Sequence, residues 1–158
     1  SEFECPFCKR HSTQGTLDQV IEKYDGDVNT VYTHFPLNFH PLAQKAGEAA
    51  ECVGDQWGAE AFYDFKVALF QEAKPTREAI TKVLEGLEGI DVATAEGCID
   101  DGTFATKVTD AMAFGRRLGV TGTPGNIVMN NETGEYEKVS GAVPAGAFDS
   151  VIARFLEG

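Results

Sequence analysis

Two cysteines three positions apart, Cys5 and Cys8, are the residues of this chain best suited to chemistry. A pair at that spacing can close into a small disulfide ring, and opening or closing the ring requires one sulfur to attack as a thiolate. Pro6 follows Cys5, and proline suits the first turn of a helix, so Cys5 is expected at a helix N-terminus. Free backbone N–H groups and the positive end of the helix dipole stabilise an anion there. Thiols so placed titrate at ~3.5–7.5 instead of ~8.5. Cys8 lies one turn further in, where it is expected to be shielded. Cys5 is then the attacking thiol and Cys8 the resolving one.

Other chemistry at the same residues is weaker. His11 extends the pair to a Cys-x-x-Cys-x-x-His spacing, but a structural zinc site takes four ligands, usually as two close pairs. The chain holds no second C-x-x-C and no H-x-x-x-H, so neither a metal nor an organic cofactor is expected. Glu4 either raises the Cys5 pKa by like-charge repulsion or is a solvated strand end. Lys9 and His11 either add positive charge near the helix start or are plain surface residues. His34 and His40 read as a strand residue and a hydrogen-bonded loop residue, not as proton shuttles.

A second constellation, Gly119-Val120-Thr121-Gly122-Thr123-Pro124-Gly125, precedes a short apolar segment. An X-Pro bond in a tight turn ahead of a strand is a place where a cis peptide is built. Thr123 would then present its backbone beside the cysteines, where an extended substrate peptide could pair as an added strand. Thr-Pro alone carries little weight; roughly 115 residues downstream of a C-x-x-C it carries much more.

The elements that must position these residues follow from periodicity and breakers. A helical pattern runs from Pro6 towards Tyr24, interrupted near Gly15, with Leu17, Val20, Ile21 and Tyr24 as its apolar stripe. Residues 28–35 are rich in β-branched and aromatic side chains and read as a buried strand closed by Pro36. Helices are expected over 42–53, 59–70, 77–87 (capped by Thr76), 92–99 and 104–118, with Trp57, Phe62, Phe65 and Phe70 as core. Strands at 127–129 and 136–139 form a hairpin, and a last amphipathic helix follows Pro144 through Phe148, Ile152, Phe155 and Leu156.

Composition excludes some function classes. The 158 residues carry a net charge of −12, opposite in sign to a nucleic-acid footprint and unsuited to anionic membrane surfaces. No apolar run approaches the ~20 residues of a membrane-spanning helix, and no basic-plus-apolar leader is present, so any signal peptide is expected to have been removed.

Over nearly its whole length the chain resembles the DsbA-like thioredoxin-fold oxidoreductases. Glu2-Phe3-Glu4-Cys5-Pro6-Phe7-Cys8 matches that family's D-F-x-C-P-x-C, and Phe35-Pro36-Leu37 with His40-Pro41 matches its F-P-L and H-P. The Ala-rich helix of residues 46–52 carries a cysteine as the family's does. The turn of residues 119–124 matches G-V-x-G-T-P, and Gly141 with Pro144 the late G-x-x-P.

The resemblance implies an α/β, thioredoxin-like fold interrupted by an inserted all-helical domain: residues 1–40 and 119–158 around 41–118. It implies Cys5 and Cys8 as the catalytic pair, with Pro6, Phe7, Thr123 and Pro124 facing substrate. It also implies a non-catalytic disulfide between Cys52 and Cys98, the alternative being two buried free thiols. The family forms disulfides in exported proteins, and some members isomerise or reduce them. The expected partners are cysteine-containing polypeptides and a membrane or soluble redox partner that resets the Cys5–Cys8 pair, with no nucleic acid. The expected location is periplasmic or otherwise extracytoplasmic. A glutathione-using isomerase would replace the C-x-x-C nucleophile with serine, and a chaperone-like peptide-binding module would keep the groove without redox activity. Two departures stand out. The family's strand ahead of the motif has no counterpart, so a chain trimmed at its N-terminus is expected, and Gly125 stands where the family usually has a side chain.

Overall fold

The computed structural model describes residues 1–157. Helices α1 (Pro6–Thr13) and α2 (Thr16–Lys23) follow one another across Gly15, whose φ of 61° is the left-handed conformation that favours glycine. Helices α3 (Ala43–Gln71), α4 (Arg77–Gly86), α5 (Val92–Asp100) and α6 (Ala105–Arg117) make up the middle of the chain. Strands β1 (Gly125–Met129) and β2 (Tyr136–Ser140), a 3-10 turn (Ala145–Phe148) and α7 (Asp149–Leu156) complete it.

The expected hairpin is present: β1 and β2 pair antiparallel, Gly125 opposite Ser140 and Met129 opposite Tyr136. Its turn is held by Asn130, whose side-chain oxygen accepts from the N–H groups of Glu132 and Thr133. The Thr76 cap is also present, with its hydroxyl accepting from the Ala79 N–H at 3.2 Å.

Two expectations are corrected. Residues 28–35 form no strand ladder. Their backbone is held at scattered points instead: the Ser1 nitrogen donates to the Thr33 carbonyl, the Phe35 N–H donates to the Ser1 carbonyl, and the Tyr63 hydroxyl accepts from the Tyr32 N–H and donates to the Thr30 carbonyl. β-Branched and aromatic residues supply an extended shape, but a ladder also needs a second edge along its length. The helices expected over 42–53 and 59–70 are both present, but the first runs on through residues 54–57, so that the two meet directly at a kink on Gly58 (φ 91°, ψ −180°) within the span of α3. The 58–59 boundary was therefore legible as a kink, not as a loop.

Helix α3 is the hub. Its Ala46, Ala49, Ala50, Cys52 and Val53 are fully buried, and small side chains let α5 and α6 approach closely. A Cβ on Gly47 would stand 3.0 Å from the His34 ring and 3.3 Å from Val108. A disulfide between Cys52 and Cys98 ties α3 to α5 across 46 residues of sequence. The main core joins these helices to Phe3, Cys5 and Cys8, so the cysteine pair is seated on the α3 layer. A second core gathers Val20, Phe148 and Ile152 with Val128 and Val139 of the hairpin.

Candidate active site

Cys5 is the N-cap of α1 (φ −74°, ψ 120°), and Pro6 opens the helix where its missing N–H removes nothing. Both thiols are free and buried. The Cys5 backbone N–H donates to Glu2 Oε2 at 3.1 Å, and the Glu4 N–H donates to the same oxygen at 2.6 Å. Glu2 Oε1 faces Nδ1 of His40 within hydrogen-bonding distance.

From the other side comes the loop ahead of β1. The Thr123–Pro124 peptide is cis, and the Cys5 sulfur lies 3.5 Å from the Thr123 carbonyl oxygen, to which it donates while it carries its proton. The Thr123 hydroxyl is buried with no other partner, so it is free to donate to a thiolate at Cys5. Gly125 allows this turn its tightness, because a Cβ there would lie 2.6 Å from a Val120 methyl.

These contacts split the two thiols. A hydrogen bond from the Cys8 thiol, helped by Thr123 and by the N–H groups of Cys8 and Phe7, outweighs burial and holds the Cys5 pKa down at about 5. Cys8 moves the other way: its bond to the Cys5 sulfur and its burial push its thiol far up. At neutral pH one sulfur is an anion at the mouth of the helix, and the other is a protonated thiol behind it.

A family model described as Thioredoxin matches residues 1–145. The chain belongs to the thioredoxin family. Within that family its fold is the thioredoxin-like one with a helical insertion found in DsbA-type thiol-disulfide oxidoreductases. DsbA2 of Pseudomonas aeruginosa is 27% identical, with a TM-score of 0.82 over 98% of this chain and 84% of that one. A thioredoxin-like oxidoreductase from Silicibacter pomeroyi shares the fold at 18% identity and a TM-score of 0.79, over 100% of this chain and 84% of that one. Among curated proteins, the Na(+)/H(+) antiporter NhaA 1 of Salinispora arenicola is 25% identical over 119 residues, which is 61% of this chain and 18% of the antiporter. The chain thus spans less than a fifth of that relative's length, and among the described residues no helix is long and apolar enough to cross a membrane.

The remaining residues of this thioredoxin-family site are placed as follows. Phe7 is 55% exposed at the rim, with the Arg10 guanidinium 5.3 Å from its ring. Glu4 does not point at Cys5, because its carboxylate accepts from the Leu42 N–H at 2.8 Å, ahead of α3. Lys9 reaches away to the carbonyls of Gln71 and Glu72. His11 is buried, and burial lowers its pKa, so it adds no positive charge to the site. His34 is part of a chain leading outward, pairing with Glu51 at 3.0 Å while Lys107 holds the other Glu51 oxygen at 2.5 Å.

Glu2 and Phe3 match the D-F of the family motif, but the sequence assigns neither a role beside the thiols. Phe3 packs its ring 4.9 Å from Phe70 and 5.8 Å from Tyr32, anchoring the segment that delivers Cys5. Glu2 is 1% exposed. A carboxylate three residues ahead of an N-cap was the available signal, but nothing in the sequence shows that it turns inward.

Proposed function

We propose that this chain is a protein disulfide oxidoreductase that forms disulfides in exported polypeptides, with Cys5 as the attacking sulfur and Cys8 as its partner. The observation that carries this reading is the opposed pair of thiols, Cys5 held acidic at about 5 and Cys8 pushed up. A stabilised Cys5 thiolate lowers the energy of the reduced form and makes Cys5 a good leaving group, which favours donating the disulfide.

The cycle starts from a Cys5–Cys8 disulfide. A substrate thiolate attacks the Cys5 sulfur, the Cys5–Cys8 bond breaks as the mixed disulfide forms, and Cys8 leaves as a thiolate that takes up a proton. A second substrate thiolate attacks its own mixed-disulfide sulfur, the bond to Cys5 breaks, and Cys5 leaves as a thiolate. The substrate has lost two electrons and the protein has gained them. A separate redox partner must then withdraw them to restore the disulfide. Thr123, Pro124, Pro6 and Phe7 hold the substrate chain beside Cys5, the backbone of the loop pairing with an extended peptide.

Residues 41–118 serve as a helical domain inserted between the thioredoxin-like parts 1–40 and 119–158. An extracytoplasmic site of action is supported by the Cys52–Cys98 disulfide, a bond that persists in oxidising compartments. The test is to mix the oxidised protein with a reduced peptide carrying two cysteines and follow both thiol pools. Stoichiometric peptide oxidation supports the reading. Efficient reshuffling of a mispaired disulfide without net oxidation would move it to an isomerase, and binding without exchange to a chaperone-like module.

A further inference from the structure

We propose that Glu2 and His40 form a charge-compensated positioning pair for Cys5, an inference that rests on Cys5 being the attacking thiol. Glu2 fixes the backbone of that cysteine, and the proton shared with His40 cancels the negative charge that Glu2 would otherwise set beside the thiolate.

The pair fills a gap in the helix cap. At an ordinary helix start, the N-cap N–H is taken by a side chain three residues on. Here that position is Cys8, whose sulfur is engaged with Cys5. Glu2 approaches from the other side instead and accepts from the N–H groups of both Cys5 and Glu4 on a single oxygen. Its second oxygen is left for His40 Nδ1.

A neutral amide could take the same two N–H groups. A buried carboxylate is the costly choice on two counts: burial raises its pKa, and the charge on Cys5 raises it further, while the His40 contact opposes both. Two like charges sharing a buried site disfavour each other's ionisation. His40 answers this because its Nδ1 faces the second Glu2 oxygen within hydrogen-bonding distance while its ring remains 18% exposed. The titratable groups around the pair are Glu4, turned away onto the Leu42 N–H, the thiol of Cys5 with Cys8 behind it, and, near enough to interact with both Glu2 and the thiols, the buried Ser1 amino group and the Tyr32 hydroxyl. Phe39 packs on the imidazole at 4.6 Å and brings no charge.

The test is to titrate the Cys5 thiolate by its ultraviolet absorbance across pH in the reduced protein and in E2Q, H40Q and E2Q/H40Q, with circular dichroism as a check on folding. H40Q keeps a donor for Glu2 and cannot carry the proton, so Cys5 becomes about tenfold less acidic. E2Q removes the carboxylate, so Cys5 stays as acidic or becomes more so, and the double variant returns close to the parent. A loss of acidity in both single variants would mark a merely structural turn and overturn the proposal, as would no change in either. If H40Q does not fold, the comparison of E2Q with E2Q/H40Q decides: with Glu2 gone, losing His40 must no longer weaken Cys5, and a tenfold weakening there overturns the pairing. A parent protein whose Cys5 titrates like a free thiol would instead remove the attacking-thiol reading itself, a result separate from any difference among the variants.

Discussion

The Cys5 sulfur and the Thr123 carbonyl oxygen stand 3.5 Å apart although 118 residues separate them in sequence. One lies at the first turn of α1 and the other on the loop that feeds β1, so the two ends of the chain meet at the reactive sulfur. Under the proposed function, the loop places a bound peptide against Cys5 only while its backbone holds this position.

The roles of the two cysteines predict an asymmetric pair of variants. With Cys8→Ser, the mixed disulfide between Cys5 and a substrate cysteine can form but not collapse back, so it accumulates. With Cys5→Ser no adduct forms, because Cys8 is buried and protonated. Non-reducing gel electrophoresis after incubation of the reduced variants with a client protein carrying a disulfide reads both, because the Cys5 thiolate attacks one client sulfur while the other leaves as a thiolate. Adducts of equal yield in the two variants would contradict the assignment.

Gly125→Ala should disturb the loop. The new Cβ would lie 2.6 Å from a Val120 methyl and 3.2 Å from the Gly122 carbonyl oxygen, and overpacking of this kind costs about 1–3 kcal/mol. Peptide oxidation should slow as Thr123 shifts. Adding Val120→Ala removes the nearer clash, so the double variant should recover part of the loss in a denaturant-unfolding cycle. Simple additivity would argue against this contact.

The α3–α5 disulfide should serve stability and not turnover. Closing a loop across 46 residues restricts the unfolded chain by about 4 kcal/mol in the chain-entropy account. Cys52→Ala/Cys98→Ala should lower the unfolding free energy by up to that amount while peptide oxidation at Cys5 persists. Loss of exchange in a variant that is still folded would give the second pair a redox role.

The pH dependence of folding should differ between the two redox forms. Cys5 titrates at about 5 in the folded reduced protein and near ~8.5 when unfolded. A depressed folded pKa contributes stability that is fully present above the unfolded value and is lost as pH falls through the folded one. The stability of the reduced form relative to the disulfide form should therefore decline from about pH 8 to pH 5 and level off below that. Below pH 8, Cys8 stays protonated in both folded and unfolded chains and adds little. Parallel denaturant titrations of the two forms measure the difference, and a flat difference would contradict a thiolate at Cys5.

Much of this was legible in the residues. Cys5-Pro6-x-Cys8 names a thiol pair at a helix start because proline and the dipole act locally, and the Gly119–Pro124 run names a tight turn for the same reason. The hairpin and the Thr76 cap are local as well. The extended segment 28–35 was read as a strand because propensity reports shape, whereas a ladder depends on what lies alongside. The two nearby carboxylates differ for a related reason: adjacency in sequence favours Glu4 as the group beside Cys5 and the family motif gives Glu2 no stated role, but Glu4 turns to Leu42 and Glu2 turns under Cys5. Which of two neighbouring carboxylates points inward is decided by His40 and the start of α3, some 38 positions away.

The reduction potential of the Cys5–Cys8 pair, measured in a glutathione redox buffer, tests the central claim most directly. A stabilised Cys5 thiolate predicts a potential well above the roughly −270 mV of a reducing thioredoxin, in the range of the strongly oxidising members near about −120 mV. A value at or below the thioredoxin figure, or a pair that never forms its disulfide, would contradict the account.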